Sequence, residues 1–386
     1  YKLMINYSKQ SIDKEDINQV IKILKSDYLT TGPIVPKFEK KICEITNSKF
    51  SVSVNSGTSA LHISCMALGL KKNDIVWTSP NSFVASANCA LYCGAKVDFV
   101  DIGEDLNIDT NLLEAKLKIA KKKKKLPKIL IPVHFSGQSC DMKKIKKLSL
   151  TYNFRIIEDA SHALGGKYFN QPVGNCKYSD ITVFSTHPVK IITTIEGGIA
   201  TTNDPNLYTK LLALRNHGIL RKKYTKNSLK KVRSHFDQIL LGYNYRMSDV
   251  QAGLGISQLK KIKRFVSLRQ HIRKIYDQKL KFEEISIPKL NQNVFSTYHL
   301  YVIKKKNNKR DKLLKVLKKN KIFSTIHYIP IHYHPYYQKL GFNKGDFPQV
   351  EKYYQECISL PIYPALKKSE IYFTIKTIKN FLIKNK

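Results

Sequence analysis

Acidic side chains are scarce in this chain. Only 29 Asp and Glu stand against 67 Lys and Arg, a formal net charge of +38 over 386 residues. An excess of that size invites a polyanion such as nucleic acid. It is nearly all lysine, however, and it is spread along the chain, with one dense block at Lys121 to Lys125. No helix-turn-helix or zinc pattern accompanies it, and the chain is also rich in Ile, Asn and Tyr, as an AT-rich genome would produce. The charge therefore reads as compositional drift with a mild consequence, attraction of phosphorylated small molecules, and no nucleic-acid partner is expected. Long apolar runs are missing too: none approaches the roughly 18 residues of a membrane span. Seven cysteines are scattered with no C-x-x-C pair and no zinc spacing, which excludes a disulfide framework and leaves no expected metal site. Free thiols in a reducing cytoplasm are the simple reading. The opening Tyr1-Lys2-Leu3-Met4 lacks a signal-peptide pattern, and with no Met at position 1 the chain is expected to be trimmed there.

What is present is a globular composition, 42% hydrophobic, long enough for two domains. Ile17, Val20, Ile21 and Leu24 recur at helical spacing, so an amphipathic helix is expected over 11–26, capped by Ser11 or Asp13. It ends at the turn Tyr28-Leu29-Thr30-Thr31-Gly32-Pro33, and a second helix fits 35–47. The strand Phe50–Val54 runs into Asn55-Ser56-Gly57-Thr58-Ser59 and then a helix. That arrangement offers free backbone N–H groups to a phosphate, although a plain strand-to-helix turn looks the same. Short β-rich runs at 75–78, 96–100, 128–133, 155–157, 181–184 and 198–201 alternate with helical patterns near 82–92, 110–121, 141–152 and 205–216. This predicts an α/β domain with a mainly parallel sheet, whose ligands bind beyond the carboxyl ends of the strands. One long helix is expected from Ser248 to about Leu280. After it come strands over 298–303 and 322–328 and helices over 310–320, 349–358 and 368–383, the bulk of a smaller α+β domain.

Lys190 sits alone in an uncharged run, Phe184-Ser185-Thr186-His187-Pro188-Val189-Lys190-Ile191-Ile192-Thr193-Thr194-Ile195-Glu196-Gly197-Gly198. Such a lysine commonly snorkels to water. In a dry setting it loses its proton instead and becomes a nucleophile toward aldehydes. Asp159 follows an apolar strand and precedes Ala160-Ser161-His162-Ala163-Leu164-Gly165; it could cap a helix or pair with a protonated ring nitrogen. Phe83 could pack in the core or stack on a flat ligand.

Taken in order, Gly57-Thr58, Phe83, Asp159 with His162, Ser185 and Lys190 resemble fold-type-I pyridoxal-phosphate enzymes. Within them the chain is similar to the DegT/DnrJ/EryC1/StrS family of sugar-nucleotide aminotransferases. The matching motifs also include Leu29-Thr30-Thr31-Gly32-Pro33, Gly242-Tyr243-Asn244-Tyr245-Arg246-Met247 and His327-Tyr328-Ile329-Pro330, and they span nearly the whole chain. The resemblance implies a large cofactor-binding domain, 1–265, with a seven-stranded, mainly parallel sheet and an N-terminal arm and helix over 1–30, and a small C-terminal domain, 266–386. It implies pyridoxal 5'-phosphate held covalently by Lys190, with Asp159 keeping the pyridine nitrogen protonated. Phe83 would stack on the ring and His162 would sit near its phenolic oxygen. The Gly57 and Thr58 amides and the Ser185 hydroxyl would bind the phosphate, with Asn244 of a second copy completing that site in a homodimer. Tyr7, the turn Asp27, Tyr28, Leu29, Thr30 and the segment His327, Tyr328, Ile329, Pro330 match sugar-nucleotide contacts.

The implied reaction moves the amino group of L-glutamate to a UDP-linked 4-keto-6-deoxy sugar. Within the family the chain is most similar to the branch acting toward pseudaminic acid. Transfer to C3, or to a GDP- or dTDP-linked sugar, stays open at this stage. Histidine replaces the lysine in a dehydrating sub-branch, so Lys190 favours transamination. Thr186 lies where relatives often carry Phe, Ile195 replaces a smaller residue, and the lysine block reads as a surface-loop insertion.

Overall fold

The computed structural model describes residues 4–221, 236–306 and 309–384; the first three residues of the expected arm lie outside these. Seven strands form the central sheet: β1 (Phe50–Val54), β2 (Ile75–Thr78), β3 (Lys96–Phe99), β4 (Ile129–Ile131), β5 (Arg155–Asp159), β6 (Ile181–Ser185) and β7 (Gly198–Thr202). Their order is β1-β7-β6-β5-β4-β2-β3. The β3–β2, β2–β4, β4–β5 and β5–β6 pairs are parallel, and β7 is antiparallel to both β6 and β1. Because helices cover both faces, the strands bury both sides and read as continuous apolar runs. Ile129, Leu130 and Ile131 are fully buried, as are Ile181, Val183 and Phe184.

The helices around this sheet fall close to their expected spans: α1 (Lys14–Leu24), α2 (Ile34–Thr46), α3 (Gly57–Ala67), α4 (Ala85–Tyr92), α5 (Thr110–Lys122), α6 (Met142–Tyr152) and α7 (Pro205–Leu214). Asp13, not Ser11, caps α1, in a reciprocal box with Asp16. Two of the five lysines of the block depart from the expected surface loop. Lys121 and Lys122 form the last turn of α5, where cations suit the carbonyl end of the helix dipole.

The long helix expected from 248 to 280 is two helices, α8 (Asp249–Lys260) and α9 (Ile262–Lys279), divided at Lys261. No Gly or Pro marks this break. Lys261 turns aside to meet Asp13 at 2.6 Å and the buried Asp16 at 2.9 Å. Beyond α9, β8 (Tyr301–Lys305) and β9 (Cys357–Leu360) pair antiparallel. The expected helix over 349–358 stops at Glu356, because buried Cys357, Ile358 and Leu360 continue as β9 instead. The expected strand over 322–328 shrinks to Ile322–Phe323, which pairs with Ile5–Asn6 of the N-terminal arm. Ile5 is thereby buried among Tyr301, Ile303, Leu317 and Ile358 from the C-terminal part of the chain.

Gly198 opens β7 against the loop that precedes α3. A Cβ there would stand 2.1 Å from the Ser56 carbonyl oxygen and 2.7 Å from the Gly57 nitrogen, both backbone atoms. Gly198→Ala is therefore expected to cost about 2–4 kcal/mol of stability. Urea unfolding measures it, and a loss below about 0.5 kcal/mol would mean the loop moves aside freely.

Candidate active site

A cavity of about 510 Å³ opens at the carboxyl ends of the sheet strands. It gathers Tyr7, Gly57, Thr58, Phe83, Asp159, His162, Ser185, Lys190, His327 and Tyr328, ten of the residues expected at a site. Each arrives by a local route. Ser56 caps α3, and its hydroxyl accepts from the Ser59 N–H at 3.1 Å. The N–H groups of Gly57 and Thr58, first in the helix, have no partner within it and face an anion by default. A Cβ on Gly57 would touch Ser185 Cβ at 3.0 Å, so glycine lets the helix start and the end of β6 close on one small space. Phe83 precedes α4 with its ring 60% exposed at the cavity, free to cover a flat ligand.

Asp159 ends β5, and its carboxylate is 5% exposed. The Ser86 hydroxyl donates to Oδ2 at 2.6 Å, and the Ser161 hydroxyl and N–H donate to Oδ1 at 2.6 and 3.1 Å. These bonds fix the carboxylate in place. It does not cap a helix; the chain turns after it toward His162. Lys190 keeps part of its side chain open to the cavity, yet protein surrounds its amine closely. Desolvation pushes its pKa down to about 8, against the opposing pull of the Asp159 charge.

Sequence reasoning missed several members. His299 lines the cavity with its ring centroid 4.3 Å from that of His162; a lone His in a strand-like stretch carries no signal. Ser86, Ser136 and Ser161 were missed for the same reason. The Ser136 N–H donates to His162 Nδ1 at 3.3 Å, so Nε2 carries the ring proton and donates to Tyr328 Oη at 3.1 Å. Burial, with the Lys190 charge nearby, holds His162 and His299 well below the usual histidine range and pushes His327 down to about 3. The three rings are neutral, so the carboxylates of Asp159 and Glu196 and the Lys190 amine are the charge-bearing groups that stand out in the lining.

Other expected residues are not brought into this cavity by their own chain. Asp27, Tyr28, Leu29 and Thr30 form an exposed turn, tied to the start of α8 by the bond from the Asp249 N–H to the Leu29 carbonyl. Ile329 is 44% exposed, and Pro330 leads the chain to Ile331, whose N–H donates to the Pro80 carbonyl. Asn244 is exposed, its backbone bridged to Asn216.

The amine gives a pH dependence. A lysine attacks an aldehyde only when neutral. Loading of pyridoxal phosphate onto the cofactor-free protein should accelerate as pH rises and level off above a midpoint near 8, not the ordinary 10.5. Stopped-flow absorbance measures it; a rate still rising unchanged through pH 10 would contradict the assigned setting of Lys190.

A lysine nucleophile, a buried carboxylate and a phosphate-facing helix start at the carboxyl edge of a seven-stranded sheet define an enzyme of the fold-type-I pyridoxal-phosphate class. The chain belongs to the DegT/DnrJ/EryC1/StrS aminotransferase family, whose model matches residues 10–379. It is 38% identical over 387 residues, 99% of each chain, to UDP-4-amino-4,6-dideoxy-N-acetyl-beta-L-altrosamine transaminase of Campylobacter jejuni subsp. jejuni serotype O:23/36 (strain 81-176). The solved structure of Helicobacter pylori PseC, an aminotransferase involved in the biosynthesis of pseudoaminic acid, superposes with a TM-score of 0.88 at 31% identity, covering 98% of this chain and 99% of that one. A Streptococcus pneumoniae protein solved in its PMP form has a TM-score of 0.88 at 28% identity, covering 97% and 98%.

Pyridoxal phosphate fits the residues present on four counts. Lys190 offers an amine of lowered pKa, and Asp159 offers a fixed buried carboxylate. The start of α3 offers free N–H groups beside Ser185, and Phe83 offers an uncovered ring.

Proposed function

We propose that this chain moves the amino group of L-glutamate to C4 of a UDP-linked 4-keto-6-deoxy-N-acetylhexosamine. The products are a UDP-4-amino-4,6-dideoxy sugar and 2-oxoglutarate, in the cytoplasm and toward pseudaminic acid-type surface glycans. The observation that carries the chemistry is Lys190, a lysine amine with its pKa lowered to about 8 beside the fixed carboxylate of Asp159. The name of the Campylobacter relative supports the acceptor, and the pathway named for the Helicobacter pylori structure agrees with it.

Lys190 would hold the cofactor aldehyde, Asp159 the ring nitrogen, Phe83 a ring face and His162 the side of the phenolic oxygen. Gly57, Thr58 and Ser185 would hold the phosphate. When bound, pyridoxal phosphate supplies an electron sink for the pair left when the donor's Cα proton departs. The remaining work belongs to the chain. The Lys190 amine takes the proton from Cα of glutamate in the first half and returns one to C4 of the sugar in the second. Its lowered pKa favours the neutral form that can accept. Asp159 holds the positive charge opposite it. Tyr7, whose ring lies 5.4 Å from that of His327, faces the sugar at the mouth with His327 and Tyr328.

A second copy completes the site. Asn244 and the turn from Asp27 to Thr30 lie exposed outside their own cavity, as residues that serve a partner's site must. Isoleucines 12, 17 and 21 with Ile195 form an exposed apolar groove that such a partner would cover. We divide the chain into a cofactor unit, 1–265, and a smaller unit, 266–386, which closes the mouth through His299, His327 and Tyr328.

Adding L-glutamate to the cofactor-loaded protein should release one 2-oxoglutarate per site and convert the spectrum to the pyridoxamine form. A panel of UDP-, dTDP- and GDP-linked 3-keto and 4-keto sugars then identifies the acceptor. Turnover confined to a GDP- or dTDP-linked sugar, or to a 3-keto sugar, would overturn the acceptor while leaving the glutamate half standing.

A further inference from the structure

Building on the reading that Asn244 serves the site of a second copy, we infer that His62 is a positioning residue acting across the subunit boundary. It fixes the Tyr243-Asn244-Tyr245 segment so that Asn244 is presented to the partner's phosphate site. His62 lies on α3 and is 4% exposed. Its Nδ1 is 3.2 Å from Tyr245 Oη, and its ring centroid is 4.9 Å from that of Tyr243 and 5.5 Å from that of Tyr92. Tyr243 and Tyr245 stack on each other at 4.9 Å and 17°. Both tyrosines flanking Asn244 therefore close on one histidine, while Asn244 between them stays exposed.

The backbone of the segment is held separately. The Tyr243 N–H donates to the Leu214 carbonyl at 2.7 Å, the Tyr245 N–H to Arg215 at 3.0 Å, and the Asn55 N–H to the Tyr245 carbonyl at 2.9 Å. His62 adds the side-chain anchor. Its Nε2 is buried with no hydrogen-bond partner among the described residues. Phenylalanine would fill the same space without an unmet polar atom, so core stability alone does not explain a histidine here. Thr58 stands one turn before His62 on the same face of α3. One helix thus carries the phosphate cradle of its own subunit at its start and, a turn later, the anchor for the residue lent to the partner.

Hybrid dimers test this. Subunits carrying His62→Ala and subunits carrying Lys190→Ala are co-expressed with different tags, and the mixed dimer is purified. The His62→Ala homodimer should bind pyridoxal phosphate about tenfold more weakly than wild type, the usual scale for removing a residue that orients a ligand's contact. In the hybrid, the one site with an intact lysine receives a normal Asn244 from the other subunit. It should regain wild-type cofactor affinity, one borohydride-fixed cofactor per dimer, and about half the wild-type turnover with glutamate. His62→Phe keeps the ring and loses only the bond to Tyr245. It should weaken cofactor binding in the same direction without lowering the melting temperature, and it takes the place of His62→Ala in the hybrid if that variant does not fold. A hybrid no better than the His62 homodimer would overturn the inference, because His62 would then serve only its own subunit; so would a His62→Ala homodimer with wild-type affinity. The matching hybrid of Asn244→Ala with Lys190→Ala reports on the shared site itself. If it fails to regain function, the shared-site reading falls, whatever His62 does.

Discussion

Replacing Lys190 with alanine should lower amino transfer by about 10,000-fold or more, since the substitution removes the residue proposed as both covalent anchor and proton carrier. The protein should still fold. Lys190 lies in the turns after β6, its own N–H bonded to the His187 carbonyl, and its side chain faces the cavity, so truncation opens space without stripping a packed core. The variant should bind pyridoxal phosphate and release it on dialysis, and borohydride should fix no cofactor to the chain. Mass spectrometry after reduction reads this directly. Cofactor fixed at another lysine, or turnover within tenfold of wild type, would remove Lys190 from the centre of the mechanism. Lys190→Arg separates charge from nucleophilicity: it keeps a cation beside Asp159, cannot lose a proton near pH 8, and should be as inactive as the alanine variant.

The second large effect is expected at Asp159. Asp159→Asn preserves shape: its oxygen keeps the Ser161 hydroxyl and N–H bonds made at Oδ1, and its NH2, in place of Oδ2, donates to a Ser86 hydroxyl that turns to Ser82, so folding should survive. On the proposed assignment it removes the charge that would hold a proton on the ring nitrogen. Turnover should fall by about 1,000-fold, the scale of losing one preorganised electrostatic contact in a closed site. The cofactor should still be fixed by borohydride, and that separates this variant from Lys190→Ala. Glutamate should then convert the bound cofactor spectrum slowly or not at all. A variant that turns over normally would mean that the buried carboxylate only holds Ser86 and Ser161 in place.

The sheet was legible because buried parallel strands are apolar on both faces. Runs such as Ile181 to Phe184 carry that signature within a residue of their true limits. Helix boundaries set by distant contacts were not legible. The break at Lys261 depends on Asp13 and Asp16, over 240 positions away in the chain, and no local residue type announces it. Cys357 to Leu360 could as well have ended a helix; only pairing with β8 decides. Lys190, Asp159 and Gly57-Thr58 were readable because each departs from its surroundings, a cation in an apolar run or small residues between a strand and a helix. His299 and Ser86 were not, because their roles arise only when the fold brings them against His162 and Asp159. His62 escaped notice for the same reason: the tyrosines that close on it are some 180 positions further along.

Helix α9 runs unbroken from one part of the molecule into the other. Ile262, Phe265 and Val266 lie in the core beneath the cofactor site, while Ile272, Ile275 and Tyr276 lie in the core of the smaller unit. Between them the buried Arg269 guanidinium donates to the carbonyls of Tyr298, His299 and Ile362. The boundary we propose at 265/266 therefore falls inside one continuous helix. The cavity wall at His299 and the apolar core under β6 hang on that same helix, so a substitution that breaks α9 at Arg269 should disturb both at once.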